Sequence, residues 1–390
     1  MLNYYFWLFQ KCFYNQLLRS WKNEKQCTIE NLFITFNHSE GTQRAYVYAL
    51  EKYTTYFEME LNELLKEAEI KEFEGIKWKH RKIKFRLLEF RQYLLENYTL
   101  NTVKSVMIND IKFYKFYDVE IYELPKINEK SIQKPQPIYF TNLPDKKIIR
   151  DALGIANPVM KAIILFICSS GCGRAEYLSL TIQDYIDALS EYLPKNDLSI
   201  FEVIDLIDDD KTIIPTFNIR RKKTNKYYTI HCSPEAIKAI NAHILSRRDT
   251  VTNESKLFKI AINYLTVNFQ KIHDDLGLGK IGPYNRFRNH MLRKFHASAL
   301  YNDGMSLDDV NDLHGKAKNK TDQAYFMINP EDLKYQYIEH LSAVTISTEV
   351  KKLHVKSQEF VKIENEKNEL ILELDRLRFD IDSLKSMIGK

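Results

Sequence analysis

Four of the chain's ten prolines fall between Pro125 and Pro144, in the run PKINEKSIQKPQPIYFTNLP. Proline fixes φ and lacks a backbone N–H, so such a run cannot lie inside a helix or a central strand. It reads as a semi-rigid, extended connection and predicts two domains joined by a linker over 125–137. Elsewhere, helix-breaking residues are sparse: only 11 glycines occur in 390 residues. With 44% hydrophobic and 28% charged residues, the composition is that of a soluble globular protein long enough for two cores. The expected fold is mainly α with a small β-hairpin or sheet (α+β).

Before the linker, residues 28–124 predict a small helical domain. Tyr46, Leu50, Tyr53 and Phe57 recur at helical spacing after Thr42, which is placed at the N-cap. Further helical patterns run over Leu61–Ile70, Ile83–Tyr98 and Thr102–Tyr117. Between the first two lies KWKHRKIKFR, with Lys77, Lys79, Arg81, Lys82, Lys84 and Arg86 and no acid. Clustered positive charge beside Trp78 suits contacts to DNA phosphates, and a solvated helix face is the plainer alternative. The net charge of +5 permits a nucleic-acid partner without requiring one. Thr42 and these six basic residues form the DNA-binding set expected of this domain. Residues 1–27 are rich in aromatics, but Gln10, Lys11, Asn15 and Gln16 interrupt the apolar run. An amphipathic helix is expected there rather than a signal peptide or a membrane span.

After the linker, a second domain is expected over 138–340. Val159–Ile167 reads as a buried helix running into SSGCGRAEYLSLT, where glycines turn the chain. TIIPTFNIRR and KYYTIHCS have β character and are joined by the polar turn KKTN, which predicts a hairpin. Helices are expected over Pro234–Leu245 and Tyr264–Leu276. The five cysteines are odd in number and irregular in spacing, which suits a reduced interior. Cys168 and Cys172 are four apart on the buried helix, and core packing is favoured over metal binding. In the tail over 341–390, Phe360, Leu374, Ile381 and Ile388 fall at heptad position a. Ile363, Leu370, Leu377 and Leu384 fall at d, predicting a coiled-coil helix and self-association.

The stretch Arg286–Tyr337 holds the densest chemistry. His290 and Arg293 stand three apart, so one helix face presents both. Tyr325 follows Gly315 and Lys316 with no carboxylate trio nearby, which points to covalent phosphoryl transfer without a metal. A phenol titrates near 10 and needs a positive field or a base to attack at neutral pH. Arginines donate bidentate hydrogen bonds to phosphate oxygens as a lysine cannot. No phosphate-binding loop of the G-x-x-x-x-G-K-[ST] kind occurs, and DLIDDDK (Asp205–Lys211) reads as a solvated acidic turn. No cofactor is expected.

Over roughly Ile138–Leu341 these motifs resemble the tyrosine recombinases, or phage integrases, most closely the archaeal and archaeal-virus branch. The first domain resembles the helical (SAM-like) core-binding domain of that family more loosely. The resemblance implies a catalytic set of Arg174 after the glycine turn, Lys223 on the hairpin, His290 and Arg293 in HMLRKF, Lys316 in LHGK, and the nucleophile Tyr325. Lys316 stands nine residues before Tyr325, where the family usually has histidine or tryptophan; His314 is the alternative member. Arg174 is one residue closer to Glu176 than the family spacing. The implied activity is site-specific DNA strand cleavage and rejoining through a 3′-phosphotyrosine, integrating or excising a mobile element or viral genome. Double-stranded DNA sites, a homotetramer on DNA and a cytoplasmic, DNA-associated location follow from the same likeness, with no membrane partner. Leu333, Tyr335, Tyr337 and Ile338 are expected to pack on a neighbouring protomer. A type IB topoisomerase-like activity and a catalytically inactive DNA-binding relative are the rival readings.

Overall fold

The computed structural model describes residues 29–132, 137–194, 198–207, 212–221, 225–247, 251–316 and 329–347. The expected N-terminal helix and nearly all of the heptad tail lie outside these residues, as do Lys223 and Tyr325. The chain divides into two compact units, with the division between Lys134 and Pro135. Among the described residues no helix is long and apolar enough to cross a membrane.

The first unit is helical: α1 (Ile29–Thr35), α2 (Glu40–Phe57), α3 (Leu61–Phe73), α4 (Lys82–Asn97) and α5 (Leu100–Phe116). Ser39, not Thr42, caps α2; its hydroxyl accepts the Thr42 N–H, placing Thr42 in the first helical turn. The apolar stripes of α2, α4 and α5 meet in one core containing Leu50, Tyr53, Leu87, Phe90, Leu94 and Phe113. Tyr53 packs edge-on against Phe90 at 5.1 Å, and the Tyr114 hydroxyl donates to that of Tyr53 at 3.4 Å. Asp110, on the inner face of α5, is fully buried, and neither carboxylate oxygen has a partner among the described residues.

In the second unit, α6 (Lys146–Ile155) precedes α7 (Pro158–Ser170), the helix on which the rest is built. The Asn157 side chain caps α7, Pro158 opens it, and Gly171 closes it in the left-handed conformation. From Met160 to Ser170 all but Lys161 are buried, so α7 is apolar nearly all round and is enclosed by its neighbours. A short helix, α8 (Arg174–Tyr177), then leads to α9 (Ile182–Ala188) and α10 (Ile200–Ile207). Strands β1 (Thr216–Arg221) and β2 (Lys226–His231) pair antiparallel from Thr216↔His231 to Arg221↔Lys226. Asn225, in the left-handed region, closes the turn onto the Arg221 carbonyl. Next come α11 (Pro234–Leu245), α12 (Ile262–Asp275) and a minimal hairpin, β3 (Lys280–Ile281) and β4 (Tyr284–Asn285). The unit ends with α13 (Asn289–Asn302), α14 (Leu307–Leu313), α15 (Pro330–Glu339) and α16 (Leu341–Val344). Helices α11 and α13 pack on α7.

One expectation is reversed. Leu333 and Tyr337 are buried within their own unit, and the Tyr337 hydroxyl donates to the Ser169 carbonyl at 2.8 Å. Both are inside the unit's own core, Tyr337 bonded to α7, rather than presented to a neighbour; Tyr335 is the exposed member of that group.

Burial raises the Asp110 pKa well above the ordinary carboxylate range, so folding retains a proton that the unfolded chain releases above about pH 4. The sign is that of a cost which grows as pH rises through the unfolded value. Asp110→Asn should therefore raise stability at neutral pH by on the order of 1–3 kcal/mol, seen as a higher urea midpoint. An unchanged or lower midpoint would show that the carboxyl has a favourable partner.

Candidate active site

Three segments of the second unit converge at Arg293, on the first half of α13. Its guanidinium donates from one η nitrogen to the Gly171 carbonyl and from the other to the His314 carbonyl, the latter at 2.9 Å. These bonds use two of five N–H groups and fix the plane of the fork. Gly171 ends α7 and Gly315 follows His314; both have positive φ, +62° and +56°. A Cβ at Gly171 would lie 2.5 Å from His296 Nδ1, and one at Gly315 would lie 2.7 Å from the Tyr228 ring. Glycine is thus required at both turns by conformation and by close approach. The third segment is the hairpin: Arg221, at the end of β1, donates to the Gly315 carbonyl, and Tyr228 of β2 packs over the same glycine. The Arg221 bond ties the strand end before the KKTN turn to the turn bearing Lys316.

Behind Arg293 lies a buried histidine pair. His296 is one helical turn beyond Arg293, and its Nδ1 is 2.9 Å from His314 Nε2. Neutral imidazoles share one hydrogen, one ring donating and the other accepting. Burial, then Arg293, pushes the His296 pKa down to about 3. His314 is also held well below the usual value, by burial first and then by His296, Arg293, Lys316 and Arg221. A second positive charge beside Arg293 is thereby excluded.

The residues expected in the site fall into three groups. Arg293 and His290 lie on α13, and Lys316 follows the Gly315 turn. His290 is exposed at the start of α13, its pKa lowered by partial burial and then by Lys294, Arg288 and Arg293, so it is neutral at neutral pH. Lys316 is exposed and His314 is only 3% exposed, so of the two alternatives only the lysine faces solvent. Arg174 opens α8 three residues after Gly171 and is exposed, and its side chain makes no hydrogen bond with a described residue. The Asn289 side chain bonds the Tyr177 hydroxyl at 2.7 Å, holding the other end of α8 to the start of α13. The buried Glu176 carboxylate lies where a side chain at Gly173 would begin, so glycine is needed at 173. Lys223 and Tyr325 lie outside the described residues.

Arg221, Tyr228 and His296 were not singled out from sequence. For His296 a signal existed: positions 290, 293 and 296 repeat every three residues along one helix. Arg221 and Tyr228 carry no local mark, because their partner Gly315 is 94 residues beyond Arg221.

In the first unit, the basic run meets acids from other elements. Arg81 is 6% exposed; it bonds the Ile76 carbonyl and pairs with Glu72 and Glu120 at 3.2 and 3.4 Å. Arg86 pairs with Glu67 at 2.6 Å, and Lys82 approaches the same carboxylate at 3.7 Å. Arg81 and Arg86 thus hold the unit together, which corrects their expected place on a DNA-facing surface. Lys77, Lys79 and Lys82 are exposed and Lys84 is half-buried.

Residues 196–332, within the second unit, match the model of the phage integrase family. The match spans the hairpin, α13 and the Gly315 turn but begins after Arg174. No curated protein matches the chain. Among solved structures it is similar to the XerH site-specific recombinase bound to palindromic difH substrate, at 17% identity and TM-score 0.48, covering 77% of this chain and 80% of that one. A Tn1549 transposon integrase in complex with a circular intermediate DNA gives 13% identity and TM-score 0.40, covering 66% and 84%. The integrase from mycobacterium phage Brujita gives 13% identity and TM-score 0.31, covering 84% and 94%.

The histidines make a pH prediction. His296 and His231 are buried with pKa values lowered to about 3, His231 by burial and then Lys334. The unfolded chain takes up these protons near pH 6.5 and the folded chain does not, so their stability contribution is full above that value. It is lost as pH falls towards about 3, with a slope of up to about 1.4 kcal/mol per pH unit for each histidine. Urea unfolding of the full chain should show a lower midpoint at about pH 5.5 than at about pH 7.5, and His231→Gln should reduce the difference. The same pH dependence in the unaltered and His231→Gln proteins would mean that His231 is not held neutral.

Proposed function

We propose that the protein is a site-specific tyrosine recombinase of the archaeal or archaeal-virus integrase type, which cuts and rejoins DNA to integrate or excise a mobile element. The observation that carries this reading is Arg293, locked between the Gly171 and His314 carbonyls inside a segment that matches the phage integrase family. Its remaining N–H groups are donors with a fixed direction, which suits a scissile phosphate whose non-bridging oxygens gain charge in the transition state. Arg174 supplies the second guanidinium, and Lys316 adds a positive charge from the adjoining turn.

Tyr325 is the nucleophile in this mechanism. Its phenolic oxygen attacks phosphorus, the bond to the 5′-oxygen breaks, and a 3′-phosphotyrosine forms. The phenol proton passes to a base, for which neutral His290 is suited, and Lys223 protonates the departing 5′-oxygen. The reverse attack by a 5′-hydroxyl of a partner duplex reseals the strand without ATP, because the phosphodiester energy is retained in the phosphotyrosine. Exchange between two duplexes calls for four protomers on DNA, with the heptad tail contributing to self-association. The exposed lysines of the first unit contribute contacts to duplex phosphates.

Tyr325→Phe should bind a target duplex yet give no covalent protein–DNA adduct on a nicked suicide substrate. Arg293→Lys should lower the rate of adduct formation by about 10²–10³-fold with duplex affinity little changed, because the bidentate donor is lost. Adducts from the Tyr325→Phe protein would place the nucleophile elsewhere. Absence of adducts from the unaltered protein on its own site would make it a DNA-binding relative without chemistry.

A further inference from the structure

The first unit contains a cleft of about 810 Å³ that the mechanism leaves unused. One wall is the turn Lys77–Trp78–Lys79, which follows α3; the other is the segment Glu120–Lys126, which follows α5. Trp78 is half-buried and Tyr122 is 53% exposed, and their rings meet at 5.9 Å with 47° between planes. They form an angled aromatic corner, not a closed stack, and both line the cleft. Lys77, Lys79, Lys84 and Lys126 line it, outnumbering the acids Glu120 and Glu123. The floor is Arg81, whose bonds to the Ile76 carbonyl and the Glu72 and Glu120 side chains hold the two walls together. Glu120 also accepts from the Tyr122 hydroxyl at 2.7 Å, which orients that ring.

An indole and a phenol lining one cleft with four lysines have one ligand chemistry in common: a flat apolar ring joined to a phosphate. The cleft volume lies in the range that encloses a small molecule of nucleotide size. A regular duplex cannot enter it, since its bases are stacked and paired and only its convex backbone faces outward. We infer that this cleft receives an unpaired nucleotide of DNA, the base stacking on Trp78 and Tyr122 and the flanking phosphates meeting the lysines. This rests on the reading of the protein as a DNA-processing enzyme and adds that it distinguishes distorted or partly single-stranded DNA from a regular duplex.

The test compares a regular duplex with the same duplex carrying one unpaired 2-aminopurine, using the full chain and reading both affinity and 2-aminopurine fluorescence. The unaltered protein should prefer the unpaired substrate and quench its fluorescence. Trp78→Ala and Tyr122→Ala should each weaken binding to that substrate by about fivefold to a hundredfold, as expected for a lost stacking partner, while regular-duplex affinity stays the same. Trp78→Phe should retain most of the preference. Tyr122 is exposed enough for its replacement to leave the fold intact, so its result stands even if Trp78→Ala misfolds. Equal affinity for both substrates, unquenched fluorescence, or equal losses on both substrates would overturn the inference. Adduct formation on a suicide substrate, measured in parallel, separates this outcome from failure of the recombinase reading.

Discussion

The candidate site of the second unit is arranged around one guanidinium. Arg293 is bonded to two backbone carbonyls from segments more than a hundred residues apart, at Gly171 and at His314. A charged hydrogen bond contributes roughly 1.5–3 kcal/mol, but the larger effect here is geometric. With both η nitrogens tethered, the fork can neither rotate nor retract. Each carbonyl sits at a turn that only glycine fits, so the direction of the fork is set by backbone conformation rather than by flexible side chains. An arginine held only by carboxylates would have its charge neutralised; carbonyl partners leave the full charge available to a phosphate.

The histidine pair follows from the same constraint. Space behind Arg293 must be filled, the turns at Gly171 and Gly315 must be held together, and no positive charge can be added there. Two neutral imidazoles joined at 2.9 Å meet all three conditions. A pair of aliphatic side chains would fill the volume but leave no directional bond between the turns. A histidine and a carboxylate would bond directionally but place a negative charge beside the arginine. Lys316 then projects from the held turn at its solvent face, which explains how a lysine is presented where an imidazole side chain is buried two residues earlier.

What could be read from sequence divides along the range of the interactions. Helices such as α7 and α11 were legible because their caps and periodicity are local, and so was the hairpin ending in KKTN. The site candidates form a motif set in the sequence, each with a short local context. Partnerships across the chain were not legible. The run Lys77–Arg86 contains no acid, yet Arg81 meets Glu72 and Glu120, and Arg86 meets Glu67. Thr42 was placed one turn too far along because Ser39 and Thr42 are both good caps; only the backbone shows which hydroxyl accepts.

The internal pairing of Arg81 and Arg86 bears on how the first unit would hold DNA. Each lysine or arginine that neutralises a phosphate contributes a slope of about −0.9 in the dependence of log affinity on log salt. Of the six basic residues between Lys77 and Arg86, two are committed to carboxylates and Lys82 is within 3.7 Å of one. The non-specific attraction is therefore weaker than the sequence count suggests, and weaker attraction has a use. A protein that must select rare sites gains nothing from binding every duplex tightly, because competing sites vastly outnumber the target. Placing Arg81 inside, where it fixes the walls of the aromatic cleft, exchanges indiscriminate charge for a shaped surface.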